Sequence, residues 1–234
     1  MGVVKNLLVG LIFCMIIFTG CLVSAGGDKH SVTYKNKQLE YAYYVPKNVL
    51  PQSNLSAIIL VPGLNGKGET LLDQSWMNFA DKKNWVIIAP SFVFEGEQAF
   101  QQARSYQYPK AWSGGALKAI LQQFSEKGYK ISSLYMMGFS AGAQFVGRYA
   151  LLNPQQVKKC AIIASGGNDK ITKNVPVKFF YGIGKNDAGN RRLFADTFET
   201  EAKRKRISIT KKVYENTGHS LTIEMQNDVR QFFD

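Results

Sequence analysis

From residue 31 to the end, short apolar runs alternate with stretches of helical periodicity. Residues 31–36 and 38–45 alternate and carry Val, Tyr and Thr, which predicts an antiparallel strand pair. Ala57–Val61 is a continuous apolar run closed by Pro62-Gly63, as expected of a strand buried on both faces. Residues 69–82 carry a helical period, and Trp85–Ala89 is a second buried strand ended by Pro90. Residues 91–111 are aromatic, Gln-rich and irregular, the composition of a long functional loop. After it the pattern predicts a helix Ser113–Lys127, a strand Ile131–Met137 and a helix Ala141–Leu152 that stops before Pro154. Strands at Lys159–Ala164, Val175–Tyr181 and Ile207–Tyr214, with helices at 189–205 and Ser220–Phe233, complete the series. Strands alternating with helices predict an α/β fold: a mostly parallel sheet, helices on both faces, and an antiparallel N-terminal edge.

The first 25 residues follow a different rule. Lys5 precedes an almost wholly apolar stretch from Leu7 to Phe18, the length of a signal-peptide core and short for a membrane span. Two cleavage sites compete. Phe18-Thr19-Gly20-Cys21 resembles a bacterial lipobox, with cleavage before a Cys21 that becomes lipidated and attaches the protein to a membrane. Val23-Ser24-Ala25 is instead a small-x-small site for ordinary cleavage, giving a soluble exported protein. Residues 26–234 then form one domain, since no Pro-, Gly- or Ser-rich linker divides them and no repeat recurs.

Charge narrows the function classes. The chain carries 29 basic and 17 acidic residues, a formal net charge of +12. The basic residues are scattered, and the densest run, Lys203-Arg204-Lys205-Arg206, falls at a predicted helix end where cations are favoured by the dipole. No nucleic-acid-reading motif accompanies the charge, so no nucleic-acid partner is expected. Of three cysteines, Cys14 lies in the leader and Cys160 in an apolar strand, so no disulfide framework is expected.

The chemistry concentrates at Gly138-Phe139-Ser140-Ala141-Gly142, a G-x-S-x-G pentapeptide between a predicted strand and a predicted helix. That setting is what a nucleophile elbow requires: a tight turn lifts the serine hydroxyl above the sheet, and the flanking glycines let strand and helix backbones approach. A serine needs a general base. The chain has two histidines. His30 lies before the first predicted strand and reads as a surface residue. His219 follows the last strand, where an α/β sheet presents active-site groups, and is the candidate base. The acid that orients it is expected at Asp187, after the strand ending at Tyr181, with Asp169 as the rival; either also suits a cap or a turn. The backbone N–H groups of Ala141 and Leu64, with Asn65 next, are the candidate oxyanion donors.

These residues resemble the α/β-hydrolase superfamily. Within it, the lidless secreted esterases come closest: polyhydroxybutyrate-depolymerase-like, feruloyl-esterase-like and dienelactone-hydrolase-like proteins. The resemblance covers nearly everything after residue 31. It rests on the elbow, on Gly184-Lys185-Asn186-Asp187 and on Gly218-His219. It implies an α/β-hydrolase fold without a lid domain and a Ser140–Asp187–His219 triad that uses no cofactor and no metal. Members usually carry His-Gly where this chain has Pro62-Gly63, and Ser140 stands where a dienelactone hydrolase proper uses Cys. The connection between Ala164 and Val175 is too short for a lid, which leaves Phe92, Phe94, Phe100, Tyr106, Tyr108 and Trp112 either to line a substrate pocket or to pack their loop onto the body. The expected activity is cleavage of a small-molecule or polymeric carboxylic ester. Peptidase or thioesterase activity would use the same constellation, and a catalytically idle binding protein of the same fold is the reading from another class.

Overall fold

The computed structural model describes residues 27–52, 54–92 and 104–234; the leader with Cys21, and Phe94 and Phe100, lie outside them. Among the described residues eight strands form a single sheet in the order β1-β2-β4-β3-β5-β6-β7-β8. β1 (Asp28–Tyr34), β2 (Lys37–Tyr44) and β4 (Val86–Ser91) pair antiparallel in succession. From β4 through β3 (Asn54–Val61), β5 (Lys130–Phe139), β6 (Val157–Ile163), β7 (Lys178–Gly184) and β8 (Ile209–Tyr214) every pairing is parallel. Among the described residues five α-helices flank it: α1 (Gln74–Lys83), α2 (Ser113–Glu126), α3 (Ala141–Leu152), α4 (Gly189–Arg204) and α5 (Ile223–Phe233). The apolar runs are the reason for the layering. Ala57–Val61, Val86–Ala89 and Cys160–Ala164 are wholly buried, so both faces of those strands must be covered.

Local chemistry sets the boundaries, and several differ from the periodicity. His30 sits inside β1, not before it, and is exposed there. The β1–β2 turn is Lys35-Asn36, both at positive φ (49° and 61°), the two-residue geometry whose twist suits a hairpin. The 69–82 periodicity breaks in two: a 3₁₀ turn at Gly68–Leu71, then α1, whose Asp73 cap accepts a hydrogen bond from Trp76 N–H at 2.9 Å. β7 starts at Lys178, not Val175, because Pro176 has no N–H to give a ladder. α5 starts at Ile223 rather than Ser220, where the Thr222 hydroxyl caps Met225 N–H. The β6–β7 connection, residues 164–177, holds no helix or strand, so it forms no lid.

Most of the aromatic residues of the 91–111 stretch that are described pack inward. Phe92 and Tyr106 are buried and stacked at 5.0 Å, and Phe92 also meets Trp112 and Phe145. Tyr108 is half exposed and lies over the Arg148 guanidinium at 4.2 Å. These rings tie their segment to α3 rather than forming an open aromatic pocket.

Candidate active site

The carboxyl ends of the parallel strands carry the candidate groups. β5 ends at Phe139, and Ser140 takes φ 54° and ψ −113° before α3 opens at Ala141. A positive φ on a residue with a Cβ is strained, and it persists only where the surroundings enforce it. Here the enforcement is visible. A Cβ at Gly138 would collide with the Gly142 carbonyl, and one at Gly142 with the carbonyls of Val61 and Pro62. Strand, helix and the β3 loop are thus in backbone contact, and Ser140 N–H is fixed to the Ile163 carbonyl at 2.9 Å.

His219 stands beyond β8 and reaches Ser140: its Nε2 lies 2.9 Å from the Ser140 Oγ. Its Nδ1 lies 3.0 Å from Asp187 Oδ2. With Nδ1–H donating to the carboxylate, Nε2 is left as the acceptor for the serine hydroxyl. The imidazole also stacks on Phe139, centroids 5.1 Å apart, so the residue beside the nucleophile helps orient the ring. Asp187 follows β7, and its side chain is 1% exposed. Its Oδ1 accepts from Ala188 N–H at 2.7 Å and faces the Arg191 guanidinium at 3.5 Å. The acid and base loops are pinned together. Asn186 N–H donates to the Thr217 carbonyl at 2.9 Å, and Gly184 packs so tightly on Thr217 and Gly218 that no Cβ fits.

The base loop is held by its two flanks. Asp228 on α5 accepts from Lys212 Nζ and from Tyr214 Oη on β8, each at 2.6 Å. Burial alone would raise the Asp228 pKa; those two donors outweigh it and hold the carboxyl below its usual range. Burial first, and then the bond to Asp228, pushes the Tyr214 phenol up.

The rival acid, Asp169, is engaged elsewhere. It receives Arg148 Nε at 2.7 Å, and that arginine, buried on α3, also donates to the Gln107 carbonyl. Of the candidate oxyanion donors, Ala141 adjoins the nucleophile and Leu64 lies in the turn that follows β3. Ala141 N–H opens α3, where the first-turn N–H groups have no partner within the helix. Residues Gly63 to Gly66 form a turn closed by Gly66 N–H to the Gly63 carbonyl at 3.0 Å, with Asn65 at φ 60°. A Cβ on Gly63 would stand 3.5 Å from the Ser140 Cβ, so Leu64 follows a residue in contact with the elbow. Among the described residues no group of His, Cys, Asp and Glu is arranged to hold a metal ion. Sequence reasoning did not find Arg191 or Phe139. The first stands four residues after Asp187 at the start of a helix, a spacing that brings opposite charges together; no comparable signal marks the second.

No protein-family model matches the chain, and no curated protein matches it by sequence. Solved structures match it closely in shape. A poly(3-hydroxybutyrate) depolymerase from Bordetella parapertussis superposes with a TM-score of 0.67 at 15% identity, covering 90% of this chain and 91% of that one. Poly(aspartic acid) hydrolase-1 from Sphingomonas sp. KT-1 gives 0.66 at 15% identity, covering 89% and 99%. An S-formylglutathione hydrolase from Agrobacterium tumefaciens gives 0.62 at 15%, covering 90% and 94%. The fold shared with them is the α/β-hydrolase fold.

Proposed function

We propose that this protein is an exported serine hydrolase that cleaves carboxylic esters through an acyl-enzyme. The observation that carries the reading is the continuous hydrogen-bonded chain Ser140 Oγ–His219–Asp187, assembled from the ends of three strands. Ser140 Oγ attacks the ester carbonyl while His219 Nε2 takes its proton. The negative oxygen that develops meets the N–H groups of Ala141 and Leu64. The C–O bond to the alcohol breaks as His219 returns the proton to it. Water, deprotonated by the same imidazole, then attacks the acyl-enzyme and releases the acid and the free serine. Asp187 holds the imidazole in the required tautomer and balances its charge when protonated. The test is labelling with a fluorophosphonate. Folded wild type should take up one equivalent and Ser140→Ala none; an unlabelled, folded wild type would refute the reading.

Export belongs to the same proposal. Its support is the apolar leader and the Phe18-Thr19-Gly20-Cys21 sequence, with Cys21 as the lipidated N-terminus. Intact-mass measurement of the mature protein checks this: a diacylglyceryl-modified N-terminal Cys21 is expected, and an unmodified chain beginning near Gly26 would replace it with soluble secretion.

A further inference from the structure

Much of the positive charge, scattered along the sequence, is gathered by the fold at one end. From β4 across to β8 the strands run parallel toward the candidate site, so the helices between them return the chain to the opposite end. Strand starts and helix ends share that end. Lys130, the first residue of β5, stands ten residues before Ser140, about 33 Å at the rise of a parallel strand. Lys158 and Lys159 follow the first residue of β6, and Lys178 opens β7 as the register partner of Lys159. Lys82, Lys83 and Lys127 close α1 and α2, and Lys203-Arg204-Lys205-Arg206 close α4. Asp81, Glu126, Glu201 and Asp234 stand among them, and Lys82 and Lys83 pair with Asp234. The excess is still strongly basic.

The helix dipole accounts for the cations at helix ends. It does not account for the strand lysines. Lys130, Lys158 and Lys178 are exposed and, among the described residues, enter no ion pair. Burial first, and then Lys178 and Lys83, hold the Lys159 ammonium below its usual pKa, against the pull of Asp234. Like charges crowded in this way repel within the protein and are relieved by an external anion. Two features select the anion. The surface is broad: Lys47 follows β2 and α4 leads into β8, six strand spacings apart, or about 29 Å. Apolar side chains are also set in it. Leu50 is 67% exposed in the loop after β2, which packs on Gly128 beside Lys127, and Leu152 is exposed at the end of α3. Anionic headgroups over an acyl layer take up both kinds of group, whereas a soluble polyanion offers the leucines nothing. The leader arrives at the same end. Asp28, the first residue of β1, shares a cavity of about 340 Å³ with Lys47, Val49, Lys127 and Tyr129. Cys21 lies seven residues earlier, a reach of at most about 25 Å.

We infer that this basic end seats the protein on an anionic phospholipid bilayer and so turns Ser140 toward the aqueous side. The inference deepens the export reading, but the attraction resides in the folded domain and not in a lipid on Cys21. The mature protein as isolated is mixed with vesicles of phosphatidylglycerol or of phosphatidylcholine, and trace lysine acetylation is read by peptide mass spectrometry. On phosphatidylglycerol at low salt, Lys127, Lys130, Lys158 and Lys178 should react about tenfold more slowly than on phosphatidylcholine, since each cation near an anionic leaflet adds to the attraction. Lys185, beside the candidate site, should keep its rate, and high salt should erase the protection. In a Lys130→Gln, Lys158→Gln, Lys178→Gln variant with unchanged melting, the protection of Lys127 should be lost. Equal labelling at both ends, or protection as strong on phosphatidylcholine, overturns the inference and leaves the hydrolase standing. Protection by soluble poly(glutamate) as strong as by the vesicles also overturns it, in favour of an acidic polymer. Charge-dependent protection in a chain that begins near Gly26 supports the docking face and removes the lipid anchor. The same protection in a protein that takes up no fluorophosphonate supports the face and removes the hydrolase.

Discussion

Ser140 is held at φ 54° and ψ −113°, and that strain has a measurable size. A non-glycine residue in such a region costs about 1–3 kcal/mol. Ser140→Gly removes the penalty, because glycine occupies positive φ freely, but the glycine chain loses about 0.5–1 kcal/mol more entropy on folding. The net expectation is a gain of roughly 0–2.5 kcal/mol. For a domain near this size each kcal/mol moves the melting temperature by about 2–4 °C, so Ser140→Gly should melt at or up to roughly 10 °C above Ser140→Ala. The alanine variant is the right reference, since it also lacks the hydroxyl and keeps the strain. Differential scanning calorimetry of both, with the wild type, measures it. Both variants should be inactive. A glycine variant that melts below the alanine variant would show that the elbow stores no strain and that the Gly138 and Gly142 contacts do not enforce it.

Asp187→Asn should lower kcat by about 10³–10⁴-fold through loss of the required His219 tautomer, whereas Asp169→Asn should leave kcat near wild type and cost about 1 kcal/mol by unpairing Arg148; exchanged outcomes in an ester assay would move the acid role to Asp169. Gly142→Ala places a methyl against the Val61 and Pro62 carbonyls, so it should destabilise by about 1–3 kcal/mol and displace the Gly63–Gly66 turn, seen as a lower melting temperature together with lower kcat; an unchanged protein would contradict the packing. Asp228 has its pKa depressed in the folded state, so its contribution is complete above the usual carboxylate value of about 3.9 and is lost as pH falls through the lower folded value. Wild type should therefore lose melting temperature more steeply than Asp228→Asn below about pH 4, and parallel curves would dismiss the β8–α5 clamp.

The buried strands were legible because burial on both faces leaves an uninterrupted apolar run, as at Ala57–Val61. Their ends were not, because single residues decide them: Pro176 delays β7, and Asp73 starts a helix inside a periodic stretch. The elbow was readable for a related reason. Its strand, serine and glycines are consecutive, so the steric requirement is written locally. The choice between Asp187 and Asp169 was not local. Both follow strands, and what separates them is Arg148, which lies on another helix and claims Asp169.

The two halves of the candidate triad differ in where they are rooted. Ser140 rises from β5, flanked by strands on both sides, while His219 hangs from β8, the outermost strand, paired only with β7 and half exposed along its length. Marginal elements open at lower free energy than the interior. Fraying of β8 and α5 would withdraw the base while the nucleophile stays seated in an intact core. Catalytic competence is thus a property of the sheet's margin: on warming, turnover should fade before the core melts, and hydrogen exchange at Thr210–Tyr214 should track the loss of activity.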